Sequence, residues 1–223
     1  MRKRIIGSLL LSSCISLPAF AGNITYNVFL IPAKTVDQTV KNVSERLSRH
    51  QLDSLYKKGY LPHVTLYLTE YPEGSLAAIE KQAKQLAGHW HSFSLTLDEL
   101  QRTKGDWLML DVENSRDLQR LADQATLAME PLRATNPQLP SWVSQYPNKL
   151  ESFKRYGSPN VFANFQPHIT LLPKSDSIKL DSFMNSYGAS FKPIKTEVIG
   201  IGIAEVNKNG QARKDLASYY FQK

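Results

Sequence analysis

Cysteine is almost missing from this chain: its 223 residues hold one, Cys14. That residue lies in an N-terminal segment that reads as removable, so neither disulfides nor thiol chemistry are expected of the remainder. Long apolar runs are missing as well. The run from Ile5 to Leu17 spans 13 residues, whereas crossing a bilayer takes roughly 20. No low-complexity tract is present, and an apolar content of 42% argues for a packed core rather than disorder. Charge of one sign is in short supply too. Removing residues 1–21 takes away three basic and no acidic residues, leaving 24 basic against 20 acidic and a net charge of +4. That balance favours anionic partners mildly and excludes a protein that coats nucleic acid through charge alone.

The N-terminus has the three parts of a secretory signal peptide. Met1-Arg2-Lys3-Arg4 is basic, Ile5 to Leu17 is mostly apolar, and Ala19-Phe20-Ala21 forms a small-residue cleavage site before Gly22. The expectation is cleavage after Ala21 and a periplasmic or secreted protein. An uncleaved anchor is one alternative. Lipidation at Cys14 is another, since Leu11-Ser12-Ser13-Cys14 resembles a lipobox. The fuller signal through Ala21 favours cleavage.

The mature chain, residues 22–223, contains one phrase twice. Tyr60-Leu61-Pro62-His63-Val64-Thr65-Leu66 and Phe165-Gln166-Pro167-His168-Ile169-Thr170-Leu171 share an aromatic, any residue, Pro, His, a β-branched aliphatic, Thr and Leu. On a strand, side chains alternate between faces, so His and Thr point one way and the aliphatics the other. Around these copies the periodicity predicts β-α-β-α-β-β-α, a long connection, then β-α-β-β. A strand covers Ile24–Pro32, a helix runs from about Thr35 to Tyr56, and Asn114 or Ser115 caps a third helix. The final strands, Lys195–Val206 and Gln211–Phe221, join at Asn207-Lys208-Asn209-Gly210. The fold class is α+β: two pseudo-symmetric lobes in a single domain, each an antiparallel sheet covered by helices, around a cleft carrying one His-x-Thr motif per lobe. Residues 136–165 form a Pro-rich insertion that is either a lid or a surface addition.

Two histidines in one cleft suit a reaction needing a base and an acid at once. Two threonine hydroxyls can hydrogen-bond oxygens on which negative charge grows. A phosphodiester fits both demands, with no cofactor and no metal required. His50, His89 and His91 make a weak metal set, since no cysteine or clustered carboxylate completes it. Tyr60 and Phe165 are sheet-packing residues or base-stacking ones. Tyr156 and Phe162 either stack on a base, act in a lid, or pack the insertion down. Lys174 and Arg155 are candidates for steering an anion.

The paired motifs His63-Val64-Thr65-Leu66 and His168-Ile169-Thr170-Leu171, one per half of the chain, resemble those of the 2H phosphoesterase superfamily. That family includes cyclic phosphodiesterases and 2′-5′ RNA ligase-like proteins. The resemblance implies metal-independent chemistry at 2′,3′-cyclic or 2′-5′ phosphodiester bonds of nucleotides or RNA ends. It implies His63 and His168 as the acid–base pair. For ring-opening hydrolysis we expect His168 to activate water and His63 to protonate the leaving oxygen, roles that reverse with the direction of the reaction. Thr65 and Thr170 would hold the phosphate. The expected partner is a nucleotide or RNA-end phosphodiester; nothing in the sequence points to an obligate protein partner, and a monomer is expected. The signal peptide and the insertion depart from many relatives and speak against a cytoplasmic role. Two other classes stay open: a nucleotide-binding module without chemistry, and an exported interaction protein that uses the insertion as its contact surface.

Overall fold

The structure, a computed structural model, describes residues 22–222. The signal-peptide reading lies outside the described residues. In chain order the elements are β1 (Asn23–Pro32), α1 (Lys34–Arg49), β2 (Val64–Pro72), α2 (Leu76–Ala87), β3 (Phe93–Arg102), β4 (Leu108–Val112), α3 (Arg116–Met129), α4 (Pro147–Tyr156), β5 (His168–Leu172), α5 (Ser177–Ser186), β6 (Ile194–Glu205) and β7 (Ala217–Tyr220). The α+β order is the expected one, with the addition of α4, which lies inside the long connection. No helix among the described residues is long and apolar enough to cross a membrane.

The two lobes are joined more closely than the sequence implies. All strand pairs are antiparallel and run in one hydrogen-bonded path, β2-β1-β6-β3-β4-β5, with β7 also on β6. Strand β6 is long enough to serve both lobes. Its C-terminal part, from Val198 onward, pairs with β1 and β7, and Ile194–Val198 pairs with β3. The strands that follow the two histidines, β2 and β5, are thus the two ends of the path. They nevertheless touch each other. The path therefore curls back on itself, and the motifs meet at its closure.

Helices form where apolar residues recur at three- and four-residue spacing. In α1, Val36, Val40, Val43 and Leu47 are all buried; in α3, Leu118, Leu121, Ala122, Ala125 and Met129 are. Ser115 is the residue that caps α3, its hydroxyl accepting from the Leu118 N–H at 3.3 Å. Helix α1 ends at Arg49, seven residues before the expected Tyr56. Gln51 there takes a left-handed backbone (φ 58°), which a continuing helix does not allow. Gly59 (φ 77°) instead closes a turn leading into the first motif. The last strand is shorter than expected because residues 211–216 are irregular, although Gly210 does close the Asn207 turn through a 2.8 Å bond to the Asn207 carbonyl.

On β1, Val28 and Leu30 enter the main core, so Asn27, Phe29 and Ile31 face the other way. Phe29 pairs directly with Gly202 on β6 and packs with Ala204 and Ala212 in a small second cluster. A Cβ on residue 202 would overlap the Phe29 ring. That ring lies edge-on to the His63 imidazole, with centroids 5.8 Å apart. Gly202→Ala is expected to cost about 2 kcal/mol of stability through overpacking, measurable as a lower denaturant midpoint. A variant with an unchanged midpoint would show that the ring has free room to turn.

Candidate active site

Both motifs break their ladders at the same place. In the first, Val28 pairs with Tyr67 and Phe29 with Thr65, leaving Leu66 unpaired. In the second, Leu108 pairs with Leu172 and Met109 with Thr170, leaving Leu171 unpaired. Each bulge thus falls on the third residue after the histidine. A bulge resets which face the following residues take. Leu66 and Tyr67 are both buried, as are Leu171 and Leu172. The histidine and threonine stay on the cleft face while Val64, Leu66 and Tyr67 in one motif, and Ile169, Leu171 and Leu172 in the other, are sent to the core.

The two imidazoles are held alike. The Nδ1–H of His63 donates to the Leu61 carbonyl at 2.9 Å, and the Nδ1–H of His168 donates to the Gln166 carbonyl at 2.8 Å. A carbonyl only accepts, so Nδ1 carries the proton in both rings and Nε2 is the nitrogen left for chemistry. His63 is 7% exposed and His168 is half-buried. Burial pushes both below the ordinary imidazole value. For His63 the Leu61 carbonyl opposes burial, the neighbouring His168 reinforces it, and the nearby Gly210 backbone opposes it least. For His168 the hydrogen bond to Gln166 opposes burial, and the Lys149 ammonium reinforces it. The contact between β2 and β5 brings the two histidines to the closure of the strand path.

Thr65 is half-buried, and its Oγ1 accepts from Asn27 Nδ2 at 2.9 Å. Accepting there leaves the threonine proton free to donate elsewhere. Asn27 itself is 1% exposed, and its Oδ1 has no partner among the described residues. Thr170 is half-buried opposite Met109.

The remaining candidates separate. Phe165 is 6% exposed and belongs to the main core, so it has no face for a base. Tyr156 and Phe162 pack on each other at 4.7 Å and against the core. The Tyr156 carbonyl also accepts from the buried Tyr67 hydroxyl. These two hold the insertion down. Tyr60 is half-buried, with Arg213 stacked 4.3 Å from its ring centre and its hydroxyl accepting from Asn207 Nδ2 at 3.3 Å. Arg155 stacks on Tyr156 at 5.1 Å, and Lys174 is exposed just past β5. His50 sits between the Ser182 and Ser186 hydroxyls of α5. His89 bonds back to the Gln85 carbonyl, and His91 bridges to Gln222, so the three do not converge.

Three groups escape a reading of the sequence. Asn27 has a visible signal, a lone amide within the apolar run of β1. Lys149 on α4 has none. Its ammonium donates to Asn160 Oδ1 at 2.6 Å and Gln166 Oε1 at 3.1 Å, and the contact is set by the path of the insertion. Asp111 stands opposite His168 in the β4–β5 ladder. Burial first, then the neighbouring carboxylates Glu99 and Asp98, push its carboxyl up to about 6. A raised carboxyl lends stability below its unfolded pKa of about 3.9 and loses it as pH rises through its folded value of about 6. Asp111→Asn is therefore expected to stabilise the protein by about 1 kcal/mol at pH 8 and by little at pH 4. Equal shifts at both pH values in urea unfolding would contradict this.

The insertion touches β2 and the segment that leads into β5. At one end the Thr69 hydroxyl on β2 donates to the Gly157 carbonyl at 2.7 Å; at the other, Lys149 reaches Gln166, two residues before His168. Val143 and Val161 are fully buried within it. It is part of the packed body.

Known proteins share this fold. Among solved structures, TT0787 of Thermus thermophilus is 16% identical and superposes with a TM-score of 0.54, covering 89% of this chain and 98% of that one. E. coli LigT complexed with 3′-AMP is 14% identical with a TM-score of 0.55, covering 91% and 100%. LigT complexed with phosphate is 14% identical with a TM-score of 0.52, covering 90% and 99%. At such identities the likeness establishes the fold. No curated protein matches the sequence. A model of the 2′-5′ RNA ligase superfamily, however, matches residues 36–210 and so takes in both His-x-Thr motifs; this chain belongs to that superfamily of 2H phosphoesterases.

Proposed function

We propose that the mature protein is an exported, metal-independent phosphodiesterase acting on 2′,3′-cyclic or 2′-5′ phosphodiester bonds of nucleotides or RNA ends. The observation that carries this reading is the matched pair of imidazoles, each with Nδ1 tied to the carbonyl two residues back and Nε2 left for the cleft. In hydrolysis of a cyclic phosphate, water attacks phosphorus as His168 Nε2 takes its proton. The bond from phosphorus to one ribose oxygen breaks, and the protonated His63 Nε2 supplies that oxygen with a proton. The product is a phosphomonoester, and the two histidines have exchanged protonation states. The Lys149 ammonium favours the neutral form of His168, as a base requires, and the negative charge of a bound phosphodiester would raise His63 towards its protonated form. The Thr65 and Thr170 hydroxyls donate to the non-bridging oxygens. The bound 3′-AMP and phosphate of the LigT complexes are the chemistry such a cleft would hold.

A panel on residues 22–223 tests this: 2′,3′-cyclic nucleotides, 3′,5′-cyclic nucleotides, and 2′-5′ and 3′-5′ dinucleotides, with and without EDTA. Turnover of the first or third group, undiminished by chelation, is the expected result. Both imidazoles lie below their ordinary value of about 6.5 in the free protein. The kcat/KM profile should therefore be a bell with its maximum on the acid side of that value. No turnover anywhere in the panel, or turnover abolished by EDTA, would overturn the reading.

A further inference from the structure

The insertion carries a feature that neither the acid–base pair nor the phosphate-holding threonines use. Trp142 and Tyr146 are large aromatics left 42% and 47% exposed, although Val143 beside them is buried completely. Their rings meet edge-to-face at 6.1 Å. The Lys149 ammonium lies 5.6 Å from the Trp142 ring centre. That same ammonium bonds to Gln166, whose carbonyl fixes His168. From the reactive imidazole outward the surface thus presents a cation and then a part-exposed indole. A nucleotide chain presents the complementary series, a phosphate and then a base. The ammonium has three N–H groups and uses two, on Asn160 and Gln166, so one remains for a phosphate oxygen.

We propose that Lys149 and Trp142 form a subsite for the nucleotide next to the cleaved bond, Lys149 taking its phosphate and Trp142 stacking on its base. This rests on the phosphodiesterase reading and narrows it to single-stranded di- or oligonucleotides over cyclic mononucleotides. Stacking on an indole is tolerant of base identity, so the subsite selects for chain length and not for sequence. A surface concavity of about 520 Å³ along α4 is not a rival location. It is lined by Asn148, Glu151, Ser152, Lys154, Arg155 and Tyr156 and contains neither Trp142 nor a motif residue.

Excising the insertion would be a poor test, because Val143 and Val161 are core residues. Point changes are cleaner. The probes are a uridine trinucleotide with a 3′-phosphate and uridine 3′-monophosphate, titrated calorimetrically so that no turnover is needed. Wild type should bind the trinucleotide at least tenfold more tightly than the mononucleotide. In Trp142→Ala that ratio should fall about tenfold, and Trp142→Phe should restore most of it. Lys149→Gln should flatten the salt dependence of trinucleotide binding by close to one phosphate contact. Equal affinities in wild type, or a ratio unmoved by Trp142→Ala in a variant whose thermal unfolding matches wild type, would overturn the proposal. If Trp142→Ala unfolds early, Trp142→Arg and the Lys149→Gln salt slope decide instead: an intact ratio and slope refute the subsite. Trp142-dependent trinucleotide binding without cleavage of any phosphodiester would keep the subsite and sink the hydrolase reading. Turnover of cyclic mononucleotides with the same KM as chain substrates would do the reverse.

Discussion

Alanine in place of either His63 or His168 is expected to lower kcat by about 10²–10⁴. The reason lies in the shared orientation of the rings. Each Nδ1–H is committed to a backbone carbonyl, so each residue offers one working nitrogen and neither can cover for the other. If one takes a proton while the other gives one, the double variant should be little worse than the worse single one. Rates multiplying in the double variant would mean two independent contributions. His63 is the more deeply buried, so its alanine variant also leaves a small cavity beside Phe29. His63→Gln fills more of that space and separates the loss of chemistry from the loss of packing. Unfolding curves for each variant should accompany the rates. Either alanine variant retaining more than about a tenth of the wild-type rate would refute the acid–base pair.

Thr65→Val carries the second large expected effect, and it has two parts. Losing a hydroxyl that steadies a growing negative charge costs on the order of 10²–10³ in rate. In addition, the Asn27 amide loses its acceptor at a site that is 1% exposed. A buried donor left unpaired costs about 1–3 kcal/mol of stability. Thr170 faces Met109 and not an amide, so Thr170→Val should lose rate while keeping its unfolding midpoint. Combining Thr65→Val with Asn27→Leu removes both partners and should recover stability but not rate. Recovery of both would show that the threonine only supports the asparagine. A Thr65→Val variant as fast as wild type would remove it from the site.

A good part of the site could be read before any folding. Periodicity two made His and Thr neighbours on one face, and the repeated phrase made the pair too unusual for chance. The same arithmetic failed for the aromatics around the motifs. Phe165 and Tyr60 occupy equivalent positions in the phrase, yet one is core and the other lies under Arg213. Burial depends on which strand or loop passes overhead, and no local pattern encodes that. Tyr156 and Phe162 suit base stacking, a lid or, better, packing of the insertion, and their mutual contact agrees with packing.

What the sequence determined by itself were the local quantities: strand and helix order, a cap at Asn114 or Ser115, the turn at Gly210, and two His-x-Thr faces. These follow from short-range sterics and from apolar periodicity, which any isolated segment already possesses. The tertiary structure decided everything that depends on distant segments meeting. It made β6 common to both lobes, curled the strand path until β2 touched β5, and set a bulge at the same step in each motif. It also brought Asn27 to Thr65 and Lys149 to the residue that fixes His168. Those pairs are 38 and 17 residues apart. Only closure of the intervening chain, stabilised by burial of a shared core, brings them within a hydrogen bond of each other.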